Sequence, residues 1–111
     1  MKPTPIEISC AAVKAKLDAG NDVVLIDCRE RDEWDLVRLG QSQLLPMSEI
    51  QQRIGELEKH REVEIIIHCH HGARSLQVAT WLRQQGFADA KSMAGGIEEW
   101  ALQIDCNLPR Y

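Results

Sequence analysis

At 111 residues, with 44% hydrophobic and 27% charged side chains, the chain has the size and composition of one soluble globular domain and lacks the polar bias of a disordered segment. Thirteen basic against seventeen acidic residues leave a formal charge of -4, so there is no basic field to hold a nucleic-acid backbone. The longest aliphatic runs, Val23-Val24-Leu25-Ile26 and Ile65-Ile66-Ile67, are far too short to cross a bilayer, and Met1-Lys2-Pro3-Thr4-Pro5 has no apolar leader core. A single cytoplasmic domain over residues 1–111 is therefore expected, with no membrane or nucleic-acid partner.

In chain order, Ser9 is a good N-cap, Cys10, Val13 and Leu17 follow at helical spacing, and Gly20 stands where a helix C-terminus wants a left-handed residue. Val23 to Asp27 is an unbroken β-branched and aliphatic run, the signature of a strand buried on both faces in a parallel sheet. After Pro46, Ser48 and Gln51 have capping-box spacing, with Ile50, Ile54 and Leu57 at i, i+4 and i+7, and a helix is expected there. Val63 to His68 repeats the buried-strand pattern. A seven-residue loop, Cys69 to Ser75, leads to a helix carrying Leu76, Val78, Ala79 and Leu82 and closed by Gly86. A shorter strand near Lys91 to Met93, a tight turn at Gly95-Gly96, and Ile97, Trp100, Ala101 and Ile104 at helical spacing complete the alternation. The class is α/β, with helices on both faces of a mostly parallel sheet.

Chemistry concentrates in Cys69-His70-His71-Gly72-Ala73-Arg74-Ser75. A cysteine at the carboxyl end of a strand faces the amides of the following helix N-terminus, and that field draws a thiol from about 8.5 toward thiolate at neutral pH. Gly72 lets successive amides converge on one anion, and Arg74 adds a permanent charge with a fork of donors. Cysteine alone in such a place is most simply a small hydrophobe; Cys, Gly and Arg together point to a nucleophile. The four cysteines Cys10, Cys28, Cys69 and Cys106 are irregularly spaced and are read as free thiols.

This loop resembles that of the single-domain rhodaneses, the thiosulfate sulfurtransferases, whose active-site loop reads C-x-x-G-x-R-S. Cys69, Gly72, Arg74 and Ser75 match it. Further resemblance runs through Leu25-Ile26-Asp27-Cys28-Arg29-Glu30, Glu33-Trp34, Pro46, Gly86-Phe87 and Gly95-Gly96-Ile97 with Trp100, while Val37-Arg38-Leu39 and Gln41-Ser42 depart from the family's usual Gly-His-Ile and Gly-Ala. The resemblance implies a rhodanese-like, mostly parallel five-stranded sheet. It implies that Cys69 takes a sulfane sulfur from a small anionic donor such as thiosulfate and passes it, as a persulfide, to a thiol, cyanide or protein acceptor. His70, His71, Gly72, Ala73, Arg74 and Ser75 would bind the substrate, and Arg29 would line or brace the rim. Neither cofactor nor metal is expected, and the protein is expected to be a monomer.

Two other readings stand beside this one. A phosphatase or arsenate reductase of the related type needs a loop one residue longer than the four residues between Cys69 and Arg74. A persulfide carrier without small-molecule turnover would have the same sequence. His68 is expected to point away from Cys69 by strand alternation, partly buried and with its polar atoms satisfied. Cys28 is read as filler that could otherwise serve as a resolving thiol.

Overall fold

In the computed structural model, which describes residues 4–111, five strands form one sheet in the order β1-β5-β4-β2-β3, every neighbouring pair parallel. The polar start read at Met1-Lys2-Pro3 lies outside the described residues. The strands are β1 (Glu7–Ile8), β2 (Val23–Asp27), β3 (Gln43–Leu44), β4 (Glu64–His68) and β5 (Ala90–Met93). The long aliphatic runs became the inner strands β2 and β4, paired residue for residue from Val23 with Glu64 to Asp27 with His68. The edges β1 and β3 are only two residues long, too short to leave any alternation in the sequence.

Helices cover both faces, as expected. The helices are α1 (Cys10–Asp18), α2 (Arg31–Leu36), α3 (Ile50–Arg53), α4 (Ala73–Gln84) and α5 (Gly96–Gln103). Ile26, Cys28, Ile67 and Cys69 pack with Ile50, Leu57, Val78, Ala79 and Leu82 on one face. Leu25, Ile66 and Met93 pack with Cys10, Val13, Ile97 and Trp100 on the other. Strand alternation thus sends neighbouring residues of β2 and β4 into two separate cores.

Three local expectations need correction. Ser48 does not cap a helix: its hydroxyl donates to Glu30 Oε1 at 2.6 Å, and the helix starts at Ile50 behind an uncapped Glu49. After four residues it tightens into a 3₁₀ stretch, Ile54–His60, although Ile50 and Leu57 still face the core. The capping box belongs instead to α2, where the carboxylate of Glu30 takes an N3 amide and Glu33 reaches back to the Glu30 amide, a helix the hydrophobic pattern hid because it has no buried residue. Lastly, the loop after β4 is shorter than seven residues, since Ala73, Arg74 and Ser75 already form the first turn of α4.

The connection after β2 runs to β3 on one side, and the connection after β4 runs to β5 on the other. Diverging connections make the carboxyl ends of β2 and β4 the topological switch point of the sheet, the place where open α/β sheets bind ligands. Cys28 follows β2 there, and Cys69 follows β4.

Candidate active site

Gly72 makes the loop possible. Its φ of +108° lies in the left-handed region, and a Cβ there would sit 3.2 Å from the Gly95 amide nitrogen. That turn folds the chain back over Cys69, so the amides of Gly72 and Ser75 donate to Sγ at 3.1 and 3.3 Å. The Ser75 hydroxyl lies 3.5 Å from Sγ and 2.7 Å from the hydroxyl of Ser92 on β5, so Ser92 can donate to Ser75 while Ser75 donates to a thiolate. At the mouth of the loop the first-turn amides of Ala73 and Arg74 have no backbone acceptor among the described residues. With the His70 and His71 amides, which likewise have no acceptor among the described residues, they are free loop donors for an anion.

These donors act on the thiol. Hydrogen bonding from Cys28, then from the Ser75 hydroxyl and the Ser75 and Gly72 amides, outweighs the cost of burial and holds the Cys69 thiol far below its ordinary value. Cys28 moves the opposite way: its hydrogen bond to Cys69, burial and the neighbouring negative charge keep it protonated. Cys28 is buried in the same cluster as Cys69, at the end of the strand paired with β4.

Arg74 serves the loop more than the ligand. Its guanidinium forms a bidentate pair with Glu33 of α2, at 2.6 and 2.9 Å. The pair, with a hydrogen bond from the Tyr111 hydroxyl, holds the Glu33 carboxyl down to about 2. Gly96 closes the other side: the Ile97 and Glu98 amides at the start of α5 donate to the carbonyls of Cys69 and His70. A Cβ at Gly96 would run into those same carbonyl oxygens, and its φ is +63°.

Arg29 does not bind substrate. It is fully buried, with its guanidinium spent on the Asp27 carboxylate, the carbonyls of Glu33 and Val37, and the Tyr111 hydroxyl. It fastens α2 beneath the rim, the bracing half of the expectation. The His70 ring is partly buried, stacked between His71 at 3.8 Å and Tyr111 at 3.9 Å, and burial with the neighbouring His71 lowers its pKa. The shift favours the neutral form of His70, whereas the His71 side chain is exposed. His70, His71 and Glu98 bring ligand atoms within 4.8 Å of one another, the one cluster of metal-ligand type among the described residues, with Glu98 also paired to Arg110. Glu33, Ser92 and Tyr111 are the site residues that the loop motif could not reveal. Of these only Glu33 left a signal, in its spacing from Asp27-Cys28-Arg29.

His68 does point away from Cys69, but it is neither partly buried nor satisfied. The side chain is fully buried, and both ring nitrogens lack a hydrogen-bond partner among the described residues. Burial, only partly offset by Asp27, holds it neutral with its pKa down to about 4. An unfolded histidine titrates near 6.5 and takes up protons first as pH falls, so His68 favours the fold fully above pH 6.5 and loses that contribution progressively toward pH 4. The loss is on the order of 3 kcal/mol. Urea titrations between pH 7 and pH 4.5 should show falling stability, with a shallower slope in His68→Phe; identical slopes would mean that the ring is solvated.

The Rhodanese-like domain family model matches residues 9–103. A sulfurtransferase of Allochromatium vinosum is 36% identical over 95 residues, covering 86% of this chain and 87% of that protein. The adenylyltransferase and sulfurtransferase MOCS3 of Arabidopsis thaliana is 30% identical, covering 98% of this chain but 26% of its own length. The chain spans only about a quarter to a half of several curated relatives that it matches. Among solved structures, a rhodanese-like domain protein from Staphylococcus aureus superposes with a TM-score of 0.79 at 26% identity, covering 95% of this chain and 97% of that one. No helix among the described residues is long and apolar enough to cross a membrane. With its parallel sheet agreeing with these matches, the chain belongs to the rhodanese-like domain family of sulfurtransferases and sulfur carriers.

Proposed function

We propose that this protein moves a sulfane sulfur from a small anionic donor, thiosulfate being the prototype, to a thiol or cyanide acceptor through a persulfide on Cys69. The observation that carries the reading is the pair of amides from Gly72 and Ser75 on a buried Sγ at a helix N-terminus. The Cys69 thiolate attacks the outer sulfur of thiosulfate, the sulfur–sulfur bond breaks, and sulfite leaves with the electron pair. Charge then rests on the outer sulfur of the persulfide, which the amides of Ala73 and Arg74 are placed to stabilise. A nucleophilic acceptor takes that sulfur and returns the thiolate. Transfer to a protein acceptor uses the same chemistry, and the match to one part of the larger MOCS3 supports it.

Incubation with thiosulfate followed by intact-mass measurement tests the reading: one added sulfur atom is expected, located on Cys69. Because the cradle holds the Cys69 thiol far below its ordinary value, the thiolate is formed below neutral pH, and the loading rate should stay nearly flat from pH 6 to pH 9. An ordinary thiol would instead gain about tenfold per pH unit up to about 8.5. A rate that climbs in that way would mean that the cradle does not hold a thiolate.

A further inference from the structure

Cys28 is the one nucleophilic group at the site that sulfur transfer does not use. Parallel pairing of β2 with β4 ends at Asp27 opposite His68, and the Cys28 amide then donates to the His68 carbonyl at 3.0 Å. The next residues in register are Cys28 and Cys69. Both side chains turn to the same face, in one cluster with Ile26 and Ile67, and both are buried. Adjacent strands lie about 4.8 Å apart, inside the roughly 4.4–6.8 Å between Cα atoms that a disulfide spans. The other two cysteines lie elsewhere: Cys10 faces the carbonyls of Ala94 and Gly96, and Cys106 is exposed.

We propose that Cys28 is a resolving thiol, which discharges the Cys69 persulfide as sulfide and closes an internal Cys28–Cys69 disulfide when no acceptor takes the sulfur. This step rests on the persulfide chemistry proposed above. The Cys28 sulfur attacks Cys69 Sγ from the strand side, while the loop amides approach from the other. The bond between Sγ and the outer sulfur breaks, and the outer sulfur leaves as hydrosulfide, carrying the persulfide's charge and the Cys28 proton. Two thiol sulfurs are thereby oxidised to a disulfide, and the sulfane sulfur is reduced by the same two electrons to sulfide. No external oxidant enters, and a dithiol reductant restores the resting pair.

The order of events follows from where the charge sits. In the resting enzyme the thiolate is on Sγ, and the thiol of Cys28, buried beside that charge, keeps its proton. Loading moves the charge one atom outward, leaving Sγ neutral and open to attack by its neighbour. Resting Cys28 is thus silent, and a loaded Cys69 brings it into play.

The test uses the intact, fully reduced chain, loaded with inorganic thiosulfate or, in a second arm, inorganic polysulfide, then freed of donor and kept without acceptor. The wild type should gain one sulfur atom, then lose it together with two hydrogens relative to the reduced protein, releasing one sulfide per chain. Peptide mapping should find Cys28 linked to Cys69, and a dithiol should return the reduced mass. In both Cys28→Ser and Cys28→Val the added sulfur should persist at least about tenfold longer, with no sulfide released. A wild-type persulfide as long-lived as that of the variants, or a disulfide through Cys10 or Cys106, overturns the proposal while leaving sulfur transfer standing. Failure of both donors to load Cys69 overturns the sulfurtransferase reading, and this step falls with it.

Discussion

Cys69→Ser should lose sulfur loading altogether and reduce turnover of thiosulfate with cyanide by more than about a thousandfold, while the protein melts within a few degrees of the wild type. The Gly72 and Ser75 amides that donate to Sγ can donate to a hydroxyl in the same place, so no buried donor is left without an acceptor. What disappears is the nucleophile. A serine hydroxyl stays protonated in a field that suffices to ionise a thiol, and it cannot form a sulfur–sulfur bond. Steady-state kinetics with intact-mass readout decides the matter: turnover above about one per cent of wild type would move the chemistry to another cysteine.

Arg74→Ala should cost about one to two orders of magnitude in kcat/KM together with about 1–2 kcal/mol of stability. The Arg74 side chain is one-third exposed, so the loss of its charge alone is screened. The larger effect is on Glu33, whose carboxylate is mostly buried and depends on Arg74 first and Tyr111 second. Without its partner, Glu33 no longer ties α2 to the first turn of α4, and the amide cradle loosens. Arg74→Lys should recover the stability better than the activity, because an ammonium group satisfies the charge without making two parallel hydrogen bonds to one carboxylate. Full recovery of kcat/KM by lysine would show that the fork geometry is unimportant. An Arg74→Ala loss confined to KM would assign the side chain to donor attraction instead.

The inner strands and α1, α4 and α5 were legible in the sequence because each is fixed by short-range chemistry. Unbroken aliphatic runs make Val23–Asp27 and Glu64–His68 strands buried on both faces, and Ser9 caps α1 through its hydroxyl to the Ala12 amide. The loop that cradles Cys69 was legible for a similar reason: Cys69, Gly72 and Arg74 lie within six residues, and the left-handed turn at Gly72 is a local necessity.

Expectations failed where the deciding partner is distant in the chain. Ser48 has the chemistry of a cap, yet a carboxylate eighteen residues earlier takes its hydroxyl. Arg29 has the chemistry of an anion binder, and burial among Asp27, two carbonyls and a tyrosine 82 residues away removes it from solvent. His70 carries a titratable ring in the loop, but Tyr111, 41 residues later, stacks on it, and burial with the neighbouring His71 lowers its pKa.

Local sequence alone thus determined the α/β alternation, the inner strands and the amide-cradled thiol of Cys69, since hydrophobic period, caps and a glycine turn act within a few residues. Tertiary structure alone decided which charges stay available, and that Cys28 and Cys69 follow paired strands into one buried cluster. Both depend on parallel register and burial, which join residues some forty positions apart and leave no local trace in the chain.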